Sequence, residues 1–417
     1  MLIRYKKDKD GANVPVAEVY RANEHGIDSK GIDLDAVWAV RKLKQSGAEA
    51  YVVGGAVRDL LLGRKPKDFD IATSASPRQV QKIFWNARII GKRFKLVHLV
   101  FKDKILEVST FRSGEDGSED GSSIYGTVEQ DAKRRDFTIN ALYYDPTDGQ
   151  MLDFNKSMQD IKRKKIRSVL PLSTSFIEDP VRMIRAIKYS VTTGFSLQFD
   201  VRRAMKRNGA ELARVSSSRL TEEVSKILSS GDSAQIISEL HRHKLLVYLL
   251  PCVSVFSQLP LVFASLASLD EKVRKMKETD DLADDGIKGE MLAALLRPIV
   301  NHAPPEMLPE DAFKEMFNQV KTLISPMTPP NYDVEKATVL LLAETDIIVP
   351  KNCLKARRPM RQPGTMGFKT RQPRKGDGSK RSRKSQSGGS NQNKGGSTTQ
   401  KRKRRPKRKA GGDGTDH

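Results

Sequence analysis

Cysteine is nearly missing from this 417-residue chain. Its two cysteines, Cys252 and Cys353, stand about a hundred positions apart, which excludes a disulfide framework and fits a reducing compartment, with the cytoplasm as the default. No apolar run is long enough to span a bilayer and no signal peptide is visible, so a membrane partner is not expected. Internal repeats are absent. A histidine metal site is also excluded at His241 and His243, because residues two apart do not share a helix face.

Acidic residues are scarce in one region only. From Lys351 onward there are 22 Lys and Arg against 3 Asp, a net +19 of the chain's total +23, so residues 1–350 carry only +4. This segment has almost no large apolar residue after Phe368 and ends in KRKRRPKRK. Such a composition cannot bury enough surface to fold alone. A flexible polycation can track a phosphate backbone, and Lys401, Arg402, Lys403, Arg404 and Arg405 are its densest cluster. A solubilising extension or a localisation signal remains open on composition alone.

Before this tail, the chemistry concentrates in YVVGGAVRDLLLGRKPKDFD, Tyr51 to Asp70. Tyr51 to Val53 read as a buried strand, Gly54 and Gly55 allow close backbone approach, and Ala56 to Leu62 read as a helix closed by Gly63. Amides at that helix start can receive phosphate oxygens. Asp68 and Asp70 flank Phe69, so in an extended segment both carboxylates leave one face while Phe69 and Ile71 point to a core. Two aligned carboxylates repel unless a cation lies between them, and magnesium, with its preference for hard oxygen ligands, is the natural occupant. In ILEVSTF, Leu106, Val108 and Thr110 alternate with Ile105, Glu107 and Ser109, which makes Glu107 the candidate third ligand. Taken separately, a glycine pair is commonly a turn and an Asp-x-Asp a solvated loop.

In this order, the elements resemble the class II nucleotidyltransferases of the polymerase beta superfamily, which contain bacterial poly(A) polymerases and CCA-adding enzymes. The resemblance runs from about Ala36 to about Leu228. It implies a catalytic head carrying Gly54, Gly55, Arg58, Asp68 and Asp70, with Arg58 on the triphosphate; read alone, Arg58 is a solvated helix arginine. A second segment, AKRRDFTINAL, is similar to the family's RRDFTINA motif, which implies that Arg135 contacts the nucleotide and Asp136 belongs to the active site. A guanidinium offers phosphate a fixed fork of donors. A third, IEDPVRMIRAIKY, places Asp179 and Pro180 at a helix start, with Val181, Ile184, Ile187 and Val191 as an apolar stripe. The family reads the incoming base with matching Asp and Arg residues, which implies that role for Asp179, Arg182 and Arg185, with Lys188 beside them. Asp179 also fits a plain N-cap and the arginines also fit a solvated face.

IIGKRFKLVH, Ile89 to His98, looks like the basic and aromatic signature of bacterial poly(A) polymerases, where Lys92, Arg93 and Lys95 would engage RNA or nucleotide. DFNKSMQDI departs from the pattern: Asn155 to Met158 stand where relatives carry a glycine pair, which puts the turn geometry in question. In SSSRLTEEVSKIL, similar to the neck helix, Arg219 and Glu223 at i,i+4 point to a local ion pair.

The expected fold is α+β: a polymerase-beta-like nucleotidyltransferase head with a mixed sheet, all-helical neck and body domains, and a disordered basic tail. The boundaries are a polar N-terminal arm over 1–35, the head over 36–165, the neck with base-recognition helices over 166–229, a helical RNA-binding body over 230–350 and the polybasic tail over 351–417. The implied activity is polyadenylation of RNA 3′ ends from ATP, with two magnesium ions held by Asp68, Asp70 and Glu107. CCA addition to tRNA is the alternative, and a non-catalytic RNA-binding protein the second.

Overall fold

The computed structural model describes residues 1–91, 96–102, 104–113, 125–256, 258–278, 287–304 and 306–355. Lys92, Arg93, Lys95 and the polybasic cluster at 401–405 lie outside them, as does nearly all of the expected tail.

The chain opens with two strands, β1 (Leu2–Lys7) and β2 (Asn13–Tyr20), a short helix α1 (Ala22–His25) and the helix α2 (Leu34–Gln45). Next come β3 (Ala50–Val53), α3 (Gly55–Leu61), β4 (Asp70–Thr73), α4 (Pro77–Ile83), β5 (Ala87–Ile90), β6 (Leu96–Val100) and β7 (Ile105–Thr110). After α5 (Val128–Lys133) follow β8 (Leu142–Asp145), β9 (Gln150–Asp153) and α6 (Ser157–Lys162).

The nine strands form one sheet in the order β1-β2-β9-β8-β3-β4-β7-β6-β5. Within it β4 runs parallel to β7 and every other described pairing is antiparallel, which makes the sheet mixed as expected. One face carries the main core, where Val52, Ile71, Leu99, Leu106 and Val108 meet Val40 and Leu43 of α2 and Val80 of α4. Both helices start where the sequence supplies a cap: the Asp33 side chain accepts from Asp35 N and Ala36 N, and Ser76 forms a capping box with Gln79. The other face holds a smaller core of Val53, Ala72, Phe111, Val128, Ala132 and Tyr143.

The first residues are not a separate arm. β2 joins the sheet through β9, burying Ala17 and Val19, and buried His25 sets its ring edge-on to Tyr144, 5.4 Å away. Polarity hid this in the sequence because β1 is exposed along its whole length, so the strand pair lacks the clean alternation of a half-buried sheet.

Beyond the sheet, β10 (Lys165–Ile166) and β11 (Ser196–Leu197) pair in parallel, and the rest is helical: α7 (Leu172–Glu178), α8 (Val181–Thr193), α9 (Phe199–Asn208), α10 (Ser217–Leu228) and α11 (Ser233–Arg242). Leu259–Glu278, Ile287–Leu296, Pro309–Leu323 and Asn331–Ala343 continue the bundle. Gly289 lets two of these helices touch, since a Cβ there would fall 2.4 Å from that of Lys336. No helix among the described residues is long and apolar enough to cross a membrane.

Candidate active site

β3 ends at Gly54, whose φ of 73° and ψ of −136° suit glycine and turn the chain sharply into α3. The turn brings distant groups together: a Cβ built on Gly54 would lie 3.7 Å from Asp70 Oδ2 and 3.8 Å from Arg135 Nη1. Gly55 leaves room for the Arg58 guanidinium to fold back over the helix start, with Nη2 3.4 Å from where a Cβ would stand. Ala56, Val57 and Leu60 bury the opposite side of α3.

Asp70 begins β4 and is paired in register with Glu107 of β7. Phe69 and Ile71 are buried while Asp68, Asp70 and Glu107 are exposed, as strand alternation requires. Protein packs closely behind the Asp70 carboxylate although its front is open. That burial, with the Glu107 charge next and Asp68 adding to it, pushes Asp70 up to about 6 against the pull of Arg135. The three acids thus share one field of repulsion. They do not form a ready-made cage, because among the described residues no three Asp, Glu, His or Cys side chains are gathered closely enough to hold an ion.

Arg135 is fixed from several sides. Its Nε donates to Tyr143 Oη at 2.8 Å, its Nη2 to Asp131 Oδ2 at 3.2 Å and its Nη1 to the Asn140 carbonyl at 3.3 Å, while the guanidinium lies 4.9 Å from the Tyr143 ring centre. Burial alone would raise Asp131, but Arg135 and Arg134 outweigh it, with a 2.6 Å hydrogen bond from Tyr143, and hold its carboxyl below the ordinary range. Arg58 donates to Asn140 Oδ1 at 2.8 Å and to Asp59 at 2.9 Å, and lies 5.3 Å from the buried Tyr189 ring. Asn140 therefore joins the two arginines. Asp136 accepts from Phe137 N at 2.7 Å and faces Arg185 and Tyr189 through its charge.

The expected base-reading residues stand together but are engaged. The Asp179 carboxylate accepts from Arg219 at 2.8 Å, so it does not cap α8 with its side chain. Arg182 donates to the Ser175 carbonyl at 2.9 Å. Arg185 and Lys188 both reach the buried carboxylate of Glu223, at 3.0 and 3.2 Å. The local Arg219 to Glu223 pair read from their spacing is replaced by these pairings: Arg219 turns to Asp179, just before α8, and Glu223 to Arg185 and Lys188 of α8. Spacing could not reveal this because the pairs are long-range.

The departure at DFNKSMQDI is absorbed locally. Lys156 takes φ 58°, a left-handed conformation, and Asp153 accepts from the amides of Asn155, Ser157 and Met158.

Residues 50–167 match the family described as the Poly A polymerase head domain, and residues 194–256 that described as the probable RNA and SrmB-binding site of polymerase A. Poly(A) polymerase I of Salmonella typhi is 37% identical over 254 residues, covering 58% of this chain and 55% of the relative. Over these residues the chain is similar to the class II nucleotidyltransferases. A CCA-adding enzyme of Geobacillus stearothermophilus is a further relative, 38% identical over 219 residues, 52% of this chain and 54% of the relative. The chain spans about half the length of the curated relatives it matches. Its fold is shared with a CCA-adding enzyme solved in complex with ATP, at a TM-score of 0.53 and 21% identity over 78% of this chain and 82% of that one.

Proposed function

We propose that this nucleotidyltransferase transfers AMP from ATP to RNA 3′ ends and releases pyrophosphate. The observation that carries the reading is the division of charge about Asp70: Gly54 and Arg135 approach it on one side, and Glu107 stands in register on the other.

Arg135 and Arg58 would take the triphosphate. Both are planar donors already held by Asn140, so little ordering is left to do when the nucleotide binds. The acids suit magnesium by donor chemistry, since hard carboxylate oxygens under mutual repulsion gain from a divalent cation whose remaining ligands are phosphate and water. Asp70 and Glu107 would hold it, with Asp68 beside them; when bound, it lowers the pKa of the attacking 3′ hydroxyl and offsets charge on the departing pyrophosphate. Asp179 and Arg182 would meet the base edge after exchanging their present partners Arg219 and Ser175, and Arg185 would keep its orientation from Glu223.

Polyadenylation is favoured by the longer match to poly(A) polymerase I. The match to CCA-adding enzymes supports a second reading, single additions of C and A to tRNA. Incubation with each nucleotide separately and either an oligoadenylate or a tRNA lacking its terminus separates them. Long ATP-dependent tails are the expected product; use of CTP followed by one A would establish the second reading instead.

A further inference from the structure

The register of the sheet continues the site beyond Glu107. Glu107 on β7 is paired with His98 on β6, and His98 with Arg88 on β5. Directly paired residues point to the same side of a sheet, so Asp70, Glu107, His98 and Arg88 form one row across four strands. The opposite side of those strands carries the core residues Val97, Leu99, Leu106 and Val108. His98 Nε2 is 3.5 Å from Glu107 Oε1. The Arg88 side chain is exposed and makes no hydrogen bond or ion pair with any described residue. With strands spaced by about 4.8 Å, it stands roughly 14 Å from Asp70, a distance a phosphodiester backbone covers in a few nucleotides.

Direction follows from the chemistry. The donors suited to a triphosphate, Arg135 and Arg58, stand with Gly54 on the β3 side of Asp70. In-line displacement at phosphorus puts the entering hydroxyl opposite the leaving pyrophosphate. The RNA must therefore arrive from the β7 side, over this row. Ile90, 45% exposed on the same side of β5 as Arg88, adds apolar surface for a sugar.

We propose that the exposed side of β6 and β5 seats the 3′-terminal backbone of single-stranded RNA, with Arg88 donating to a phosphodiester upstream of the last nucleotide and His98 acting as a positioning residue for Glu107. This rests on the nucleotidyl-transfer reading above. Two measurements on the full chain test it. In steady-state extension, Arg88→Ala raises the KM for RNA about tenfold, as loss of a charge-assisted contact should, with the KM for ATP and kcat within about twofold; Arg88→Lys recovers most of the loss. An unchanged RNA KM, or an equal rise in the ATP KM, overturns the assignment. Separately, RNA carrying 4-thiouridine near its 3′ end is photo-crosslinked without ATP and the adducts are mapped. Adducts on residues 87–90 or 96–100 support the seat, and adducts confined to other segments overturn it. Should the wild-type chain extend no RNA with any nucleotide, the proposed function fails, while the crosslink still decides whether RNA lies on this row.

Discussion

Asp70 pays for its position in stability. Its carboxyl is pushed up to about 6 from an ordinary 3.8, so the folded chain holds that proton more tightly than the unfolded chain does. The associated stability is present in full below the ordinary value and is lost as pH rises through about 6; at neutral pH the ionised group works against the fold. Asp70→Asn should therefore abolish transfer yet raise the thermal midpoint at pH 7.5, with the gain shrinking below pH 6. A midpoint that falls at pH 7.5 would contradict the repulsion argument. At this scale the acids and the glycine pair were legible, because alternation and a left-handed turn are local properties. What holds Arg135 was less so. Asp131 is four residues before it, but α5 ends at Lys133, and Tyr143 arrives from the next strand, where no spacing announces it.

The α8 and α10 helices meet through charge as well as apolar packing. Ile184 and Ile187 of α8, as the stripe read from the sequence predicts, are buried in one core with Val224 and Ile227 of α10. Glu223 sits among them, only 3% exposed, and accepts from Arg185 and Lys188. Burial would raise its carboxyl, but Lys188 and Arg185 outweigh that and hold it below the ordinary range, so its contribution is complete above that range and lost as acid protonates it. Glu223→Gln leaves two cations without their counter-charge and should cost about 3 kcal/mol at neutral pH, as breaking a buried pair does. Denaturant melts at several pH values check this: the gap between wild type and variant narrows towards acid. The apolar face of α8 could be read from the sequence, whereas the exchange of partners between Asp179, Arg185, Arg219 and Glu223 depends on how the helices cross.

For the whole molecule, the described residues carry the sheet, the candidate site and the helical bundle, and the basicity is concentrated outside them. Deleting residues 356–417 should lower RNA affinity and flatten its dependence on salt, because fewer phosphate charges are then neutralised, while kcat at saturating RNA stays within about twofold. Filter binding across a salt series measures the slope, and an unchanged slope would assign RNA attraction to the folded part. The head-then-helices order was visible from motif order and periodicity. The first two strands were not, since an exposed edge strand carries no alternating signature.

The parallel ladder between β4 and β7 has a consequence for redesign. Asp70 and Glu107 are kept opposite each other by strand register, so the length of the turns in the segment joining those strands does not set their separation. That segment holds α4, β5 and β6, with Arg88 and His98 of the row proposed to seat RNA. Its turns can be lengthened or shortened while Asp70 and Glu107 stay opposite each other, provided β6 stays paired with β7 and keeps His98 beside Glu107.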